Sequence, residues 1–229
     1  MKELGKLFVI EGPDGSGKTT LINQLKECYG NNNNFVFTRE PALGTYLGDA
    51  AKGWVTMQNS ISSQELASET FLLMSAARLQ HVREFILPNL KKGINVISDR
   101  FVLSSAVYQG LNENWDRIHN LMPPVFDNLT YYINVTSTFL LLPSAETIVK
   151  RLAKREEEND GYNDNQPKHF YEQLVARYRY SVIQDIDSKY SLCRVPLSLL
   201  GNVHVYHGDI PADQLLDAVK NDLDKELKQ

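Results

Sequence analysis

The sequence predicts an α/β fold in which a five-stranded parallel sheet is flanked by helices on both faces. Two observations predict it: short apolar runs with the length of buried strands, and longer segments of helical periodicity between them. Strands that alternate with helices in this way form parallel sheets covered on both sides. At 229 residues the chain is long enough for one substantial core, and we expect residues 1–229 to form a single domain.

The first predicted strand and helix flank a glycine-rich loop. KLFVIEG (6–12) is an apolar run of strand length, and KTTLINQLKECYG (18–30) has the pattern of a helix that Gly30 ends. FVFTREP (35–41) predicts the second strand, closed by its proline. The order strand, loop, helix, strand is the start of an alternating α/β chain.

The longest helical pattern lies between the second and third strands. Ser62 and Glu65 have the spacing of a capping box, and apolar residues then recur at helical spacing as far as Pro88. The remaining strands are predicted at INVISDR (94–100), TFLLLPS (138–144) and NVHVYHG (202–208). We expect helical sequence after every strand except the last.

Two segments fit this alternation less well. PPVFDNLTYYINVTS (123–137) is long for a connection to the fourth strand, and we expect an added edge strand or a substrate-side loop there. EEENDGYNDNQPKH (156–169) is too polar for a core and has no helical stripe, so we expect a mobile surface segment.

Composition and charge narrow the class of function. The net charge of −4 argues against a broadly basic surface for nucleic acid and favours a small anionic ligand. Cys28 and Cys193 lack metal-ligand spacing and cannot form a disulfide framework. No apolar run reaches the ~20 residues that a membrane helix needs. We therefore expect a cytoplasmic protein that binds neither nucleic acid nor a membrane.

The segment EGPDGSGKTT (11–20) matches the phosphate-binding pattern G-x-x-x-x-G-K-S/T. Its backbone N–H groups would converge on phosphate oxygens, because glycine allows the backbone to approach them closely. Lys18 would neutralise charge on the transferred phosphoryl group, and the Thr19 hydroxyl would coordinate Mg²⁺. The ATP-binding residues predicted in this loop are Gly12, Gly15, Ser16, Gly17, Lys18, Thr19 and Thr20.

Two acidic residues are predicted to face the same site. Asp14 lies inside the phosphate loop, where bound phosphates would repel it, so we expect it to face a metal, a water or a sugar hydroxyl. The alternative is an Asp that only stabilises the turn through its own backbone. Asp99, at the end of the third strand, is placed like a Mg²⁺ partner acting through water.

Arg39 and Arg100 end two separate strands. The carboxyl ends of parallel strands meet at one crevice, so we expect the two guanidiniums to clamp a second phosphate group, that of the acceptor. For each arginine alone, the alternative is a surface ion pair with a nearby carboxylate such as Glu40.

Five segments of the chain resemble the thymidylate kinase family in their order and approximate spacing across residues 6–220. They are GPDGSGKTT, FTREP, LLMSAARLQ, SDRFVLSSAVYQG and KRLAKRE. The resemblance implies a P-loop kinase core, usually homodimeric, that uses Mg²⁺ and transfers a phosphoryl group from ATP to dTMP, giving dTDP.

The resemblance also implies where the acceptor binds. The residues that match the family's acceptor site are Asp14, Arg39, Arg78, Arg100, Ser105, Tyr108 and Gln109. Among them, Arg78 would hydrogen-bond the thymine edge and Tyr108 would lie beside the deoxyribose. Phe71 and Met74 share a helix face with Arg78 and could frame a flat base, although such a stripe is also typical of a core.

A basic segment before the polar stretch resembles the family's lid, at about 151–169. Arg151 would contact ATP, and Arg155 is favoured over Lys154 as the contact to the transferred group. The alternative is a solvated helix face whose basic residues pair with the glutamates at 156–158. The catalytic residues predicted in total are Asp14, Lys18, Arg39, Arg100 and Arg155.

The sequence is also compatible with other functions. Met74 stands where the family commonly has a stacking Phe, so a kinase for dUMP or a ring-modified pyrimidine monophosphate is an alternative. A deoxynucleoside kinase would need a positioned base and no second phosphate clamp. A GTPase-type switch would need an N-K-x-D motif, which the sequence lacks.

Overall fold

The structure, a computed structural model, describes residues 3–30, 33–57, 66–110, 115–154, 166–182 and 193–228. Within these residues, five parallel strands form one sheet. The strands are β1 (Leu7–Glu11), β2 (Phe35–Arg39), β3 (Asn95–Asp99), β4 (Ser137–Leu141) and β5 (Asn202–Tyr206). They lie in the order β2-β3-β1-β4-β5. The predicted α/β fold and all five predicted strands are confirmed.

Helices cover both faces of this sheet. The α-helices are α1 (Lys18–Tyr29), α2 (Tyr46–Met57), α3 (Ala67–His81), α4 (Leu87–Lys91), α5 (Val102–Gln109), α6 (Trp115–Thr130), α7 (Ala145–Ala153), α8 (Lys168–Ser181) and α9 (Ala212–Lys228). Along β1, successive side chains enter opposite cores. Phe8 and Ile10 pack with α1 and α9, whereas Leu7 and Val9 pack with the larger core on the other face. No helix among the described residues is both long and apolar enough to span a membrane.

The sheet brings the predicted site residues to one edge. β1 lies at the centre and is buried along its whole length. Ile10 of β1 and Arg39 of β2 both lie in register with Asp99 of β3. The phosphate loop after β1, Arg39 at the end of β2 and Arg100 after β3 therefore meet at the carboxyl edge of the sheet, where ligands of such sheets bind.

The long helical segment continues further than the sequence predicted. α3 is followed by a π-helical turn, Val82–Ile86, and then by α4, so helix continues past Pro88 to Lys91. Pro88 lies in the first turn of α4, where a missing N–H is tolerated. The predicted end at Pro88 is wrong. The predicted capping box, Ser62 and Glu65, lies outside the described residues.

Two further predictions about connections are wrong. β5 is followed by a helix, α9, whose residues Leu215, Val219 and Leu223 are buried at a spacing of one turn. Residues 123–137 form neither an edge strand nor a substrate-side loop. Their first part belongs to α6, and Val135 then leads into the start of β4, with its N–H donating to Ser198 O at 2.8 Å. That is the amino edge of the sheet, opposite the phosphate loop.

Candidate active site

The glycine-rich loop wraps the amino end of α1. Gly12 has φ 145°, and a Cβ there would lie 2.5 Å from Leu141 O, so the loop passes too close to β4 for any side chain. Gly17, with φ 99°, is left-handed and directly precedes the helix, which begins at Lys18. The first N–H groups of α1 and its positive dipole end therefore face the loop, as an anion site requires.

Lys18 lies buried across this loop. Its Nζ donates to Gly12 O at 2.9 Å and to Pro13 O at 2.8 Å. Burial, followed by the charge of Arg100, lowers the pKa of Lys18 to about 8, although the nearby carboxylates, Asp14 first, act in the opposite direction. The ammonium is thus bound by neutral carbonyls alone, and a phosphate group would be a stronger partner for it.

Asp14 joins the phosphate loop to the end of β3. Its Oδ1 forms an ion pair with Nη2 of Arg100, and its Oδ2 accepts a hydrogen bond from the Tyr108 hydroxyl at 2.9 Å. Arg100 also donates from Nη1 to Gly12 O at 3.2 Å and to Ser104 Oγ at 2.9 Å, and its guanidinium lies 5.3 Å from the Tyr108 ring centroid. Three predicted residues, from two separate segments of the sequence, therefore form one cluster.

The electrostatics of this cluster follow from burial and from Asp14. Burial, with Asp14 next, raises the pKa of Tyr108, so its phenol stays a proton donor. Burial alone would lower the pKa of Arg100, but Asp14, Tyr108, Tyr178 and Asp99 together outweigh it, so the pKa is raised. The Asp14 side chain is 38% exposed, so it remains accessible from the cleft.

Beneath the cluster lies a buried carboxylate that the sequence analysis missed. Glu11, at the end of β1, accepts from the N–H groups of Phe101 at 2.8 Å and Ser104 at 3.1 Å, and from Ser104 Oγ at 2.6 Å. Tyr178 of α8 donates to the same carboxylate at 3.4 Å. Glu11 thus caps the amino end of α5 and supports the residue that contacts Arg100. The position of Glu11 at the end of an apolar strand could have identified it from the sequence. No pattern in the sequence identifies Tyr178.

Arg78 lies in a second buried cluster, between α3 and α5. Its Nε bonds Glu40 at 2.5 Å, and its Nη2 donates to Phe101 O at 3.0 Å and to Ser105 Oγ at 2.8 Å. Its Nη1 is buried and has no hydrogen-bond partner among the described residues. One nitrogen of this guanidinium is therefore unpaired within the described part of the chain, and the predicted Ser105 lies beside the guanidinium.

Arg39 differs from the other predicted arginines. It is exposed at the end of β2 and has no hydrogen bond or ion pair to any residue that the structure describes. The alternative prediction, a pair with Glu40, does not hold, because Glu40 turns into the protein and bonds Arg78. Arg39 is thus free to meet a ligand over the end of β2.

Phe71 and Met74 of α3 were predicted to frame the base, and this prediction is wrong for Phe71. Phe71 is fully buried and packs edge to face with Phe126, with ring centroids 5.6 Å apart, so it belongs to the core and does not reach the site. Met74 is half-buried on the same helix. Gln109 lies at the end of α5, and its Oε1 is buried with no partner among the described residues.

Two oxygen-bearing side chains near the loop fit a magnesium ion. Thr19 is exposed in the first turn of α1, and Asp99 Oδ1 is buried with no hydrogen-bond partner among the described residues. No group of three or more His, Cys, Asp or Glu side chains that could hold a metal occurs in the described part of the chain. Mg²⁺ needs no such cage, since it is usually held by one or two protein oxygens, water and substrate phosphates.

A cavity of about 320 Å³ opens beside the phosphate loop. It is lined by Gly15, Ser16, Gly17, Thr20, Leu21, Gln24, Arg151, Lys154, Ile210 and Ala212. Arg151 of α7 donates to Gly15 O at 3.3 Å, Ser16 O at 3.2 Å and Gly208 O at 2.7 Å. Arg151 thereby joins the phosphate loop to the turn after β5. Ile210, in that turn, also lines the cavity, and the sequence analysis missed it. Arg155 lies outside the described residues.

Comparison with known proteins gives one consistent family. The family model for thymidylate kinase matches residues 10–185. Thymidylate kinases of Prochlorococcus marinus strains NATL2A and NATL1A are each 39% identical over 160 residues, which is 67% of this chain and 74% of theirs. The thymidylate kinase of Francisella tularensis subsp. novicida is 42% identical over 106 residues, 46% of this chain and 50% of its own.

Proposed function

The chain belongs to the thymidylate kinase family, and on that premise we propose that it transfers the terminal phosphoryl group of ATP to dTMP, giving dTDP and ADP. The observation that carries the proposal is the contact of Asp14 with both Arg100 and Tyr108. Asp14 belongs to the loop suited to a donor phosphate, and Arg100 and Tyr108 to the wall suited to an acceptor. Two nucleotides bound on either side would place their phosphates next to each other.

The donor would bind through the phosphate loop and the cavity beside it. Loop N–H groups and the end of α1 would bind the polyphosphate, and Lys18 would exchange its two carbonyl partners for phosphate oxygens. Arg151 would line the nucleoside side of this site, as it lines the cavity now. Thr19 and Asp99 would hold Mg²⁺, which when bound neutralises charge on the donor phosphates.

The acceptor phosphate would lie between Arg100 and Arg39. An acceptor phosphate oxygen is already ionised, so the reaction needs no protein base, and catalysis consists of alignment and charge neutralisation. Arg100 is fixed in place by Asp14, Gly12 and Ser104 before any ligand arrives. Arg39 would close on the phosphate from the exposed end of β2.

The acceptor base would be read by Arg78. A guanidinium can only donate hydrogen bonds, so Nη1 would favour a base that presents a carbonyl oxygen there, as thymine does. The Tyr108 ring would lie beside the sugar, and Ser105 and Gln109 near the base. Met74 would pack against the base in place of a ring.

Three further parts of the proposal concern the whole protein. We propose that residues 1–229 act as one domain, that about 151–169 form a lid in which Arg155 contacts the transferred group, and that the enzyme is cytoplasmic. The free thiols of Cys28 and Cys193 support the location, and the basic end of α7, Lys150 and Arg151, supports the lid.

We also propose a homodimer formed through α3 and α6. α3 carries apolar residues on more than one of its faces, and a helix of this kind is normally covered on more than one side. Leu72 is 47% exposed, and the groove beside it is lined by Leu79, Val125 and Leu129. The variant Leu72→Glu is expected to reduce the mass in solution to that of one chain, as measured by sedimentation.

A coupled assay of ADP formation tests the function. With Mg²⁺ and ATP, the enzyme is offered dTMP, dUMP, dCMP, dGMP, dAMP or thymidine at equal concentration. We expect dTMP to be strongly preferred and thymidine to be inactive, since thymidine lacks the phosphate that the two arginines would bind. A preference for thymidine, or ATP hydrolysis that ignores every monophosphate, would refute the proposal.

A further inference from the structure

A series of hydrogen-bonded polar side chains, of which Glu40 and His81 are buried, lies behind Arg78, and the phosphoryl transfer itself does not use it. Glu40 Oε2 bonds Nε of Arg78 at 2.5 Å, and Glu40 Oε1 bonds Nδ1 of His81 at 3.2 Å. His81 Nε2 then bonds Oγ1 of Thr38 at 2.8 Å. Glu40 and His81 are only 4% and 1% exposed, so solvent does not compete for these bonds.

The chemistry of the groups fixes the direction of the hydrogen bond between His81 and Glu40. A carboxylate oxygen can only accept, so Nδ1 of His81 carries the hydrogen and donates it to Glu40. The Thr38 hydroxyl, which can donate or accept, bonds the other ring nitrogen at 2.8 Å. Glu40 and Thr38 therefore hold the two nitrogens of the ring between them.

The geometry fixes His81 in place. Its ring stacks on that of Phe85, with ring centroids 5.7 Å apart and ring planes at 22°. Phe85 lies in the π-helical turn that follows α3. Thr38 lies on β2, so the imidazole joins the sheet to α3. Glu40 has each oxygen bonded to a different partner, and it cannot turn without breaking one of those bonds.

We infer that His81 is a positioning residue for the acceptor base, acting through Glu40 on Arg78. Glu40 holds Nε, while Ser105 and Phe101 O hold Nη2, so the guanidinium has one orientation. Its Nη1, buried and unpaired among the described residues, is the nitrogen that remains for the base. This inference rests on the proposed function, since it requires a pyrimidine read by its carbonyl oxygen. It assigns to His81 a part in choosing dTMP over dCMP, whose amino group would meet the same donor.

Two substitutions of His81 separate positioning from packing. The amide nitrogen of His81→Asn can take the place of Nδ1 and keep the bond to Glu40, whereas that of His81→Gln takes the place of Nε2 and loses it. We expect His81→Gln to raise the KM for dTMP by about tenfold and to lower the preference for dTMP over dCMP, with the KM for ATP unchanged. We expect His81→Asn to change the KM for dTMP and the preference for dTMP over dCMP by less than about threefold each.

A packing role predicts the opposite order, because Gln is closer to His in volume and Asn leaves the larger cavity. If His81→Asn is the more damaging variant for dTMP selectivity, the inference is wrong. Should both variants fail to fold, Thr38→Val removes only the hydroxyl that orients Nε2. It is expected to raise the KM for dTMP by about threefold without affecting ATP, and an unchanged KM would overturn the inference.

His204 is a matched control. It too bonds a buried carboxylate, Glu226, at 3.0 Å and stacks on a ring, that of Phe139 at 5.3 Å, but it lies against α9. His204→Gln should leave the KM for dTMP and the base preference unchanged. If the wild-type protein does not phosphorylate dTMP, the proposed function fails and this inference with it. If the wild type does, and His81→Gln behaves like His204→Gln, only the inference fails.

Discussion

The ends of β2 and β3 lie side by side, yet they present their arginines in opposite states. Arg100, after β3, has φ 70° and bonds Asp14, Gly12 O and Ser104. Arg39, at the end of β2, is exposed and has no bond to any described residue. Both lie next to Asp99, which is in register with Arg39 and precedes Arg100 in the chain.

The difference indicates which part of the site is built before the substrate binds. Arg100 is held by the fold, so it loses little conformational freedom when a phosphate arrives. A free Arg side chain carries ~2 kcal/mol of rotamer entropy, and Arg39 would lose part of it on binding. We therefore expect the β3 end to act mainly on the rate of transfer and the β2 end mainly on the affinity for dTMP.

The largest effect is expected at Lys18, in the part of the site that the fold builds before the substrate binds. Lys18→Ala should lower kcat by roughly 10²–10³-fold, the loss typical of one preorganised donor to the transition state. Steady-state kinetics measures it, and Lys26→Ala, on the same helix but exposed, is the control that should stay active. Turnover that is nearly unchanged in Lys18→Ala would remove this residue from the mechanism.

Arg100→Ala is expected to have the next largest effect. It leaves the Asp14 carboxylate without its cation beside the phosphates, so kcat should fall by about 100-fold. The melting temperature should fall as well, because Arg100 joins the phosphate loop to Ser104. Calorimetry together with kinetics checks both. A variant that changes only the KM for dTMP would mean that Arg100 and Arg39 act alike.

Arg39→Ala should behave differently from Arg100→Ala. We expect the KM for dTMP to rise by about tenfold, the value for losing one exposed charge-assisted contact, with the KM for ATP unchanged. Because Arg39 bonds no described residue, the melting temperature should not move. An effect confined to ATP would contradict its acceptor role.

The smallest effect is a pH dependence of donor binding. Burial lowers the pKa of Lys18 to about 8 in the free protein, and a bound triphosphate would favour the charged form. The free enzyme loses this proton as the pH rises through about 8 while the complex keeps it, so ATP affinity should fall by about fivefold over the next pH unit. A binding titration in which ATP affinity stays flat or rises there would refute this.

Much of this contrast could be predicted from the sequence, because strand ends are local features. β1 is apolar from Leu7 to Ile10, and the residues after each strand had to meet at one edge of a parallel sheet. The same reasoning placed Arg39 and Arg100 side by side. It could not tell the bound arginine from the free one, since the partners of Arg100 come from the loop after β1 and from α5.

The errors arose where a local pattern allows two structures. α3 is apolar on several sides, so periodicity could not decide whether Phe71 or Met74 faces the site, and Phe71 belongs to the core. Glu40 was considered as a partner of its neighbour Arg39, but it bonds Arg78 and His81, about forty residues further along the chain. Distant pairing of this kind leaves no local signal in a single sequence.

The most direct test follows the phosphoryl group itself. ATP labelled at its γ-phosphorus is mixed with excess enzyme and dTMP, and the label is located after a single turnover. The account predicts that the label appears in dTDP. In Arg39→Ala the label should appear more slowly at low dTMP concentration, and a high dTMP concentration should restore the wild-type rate. Label recovered as inorganic phosphate, at a rate that does not depend on dTMP, would contradict the transfer between two nucleotides.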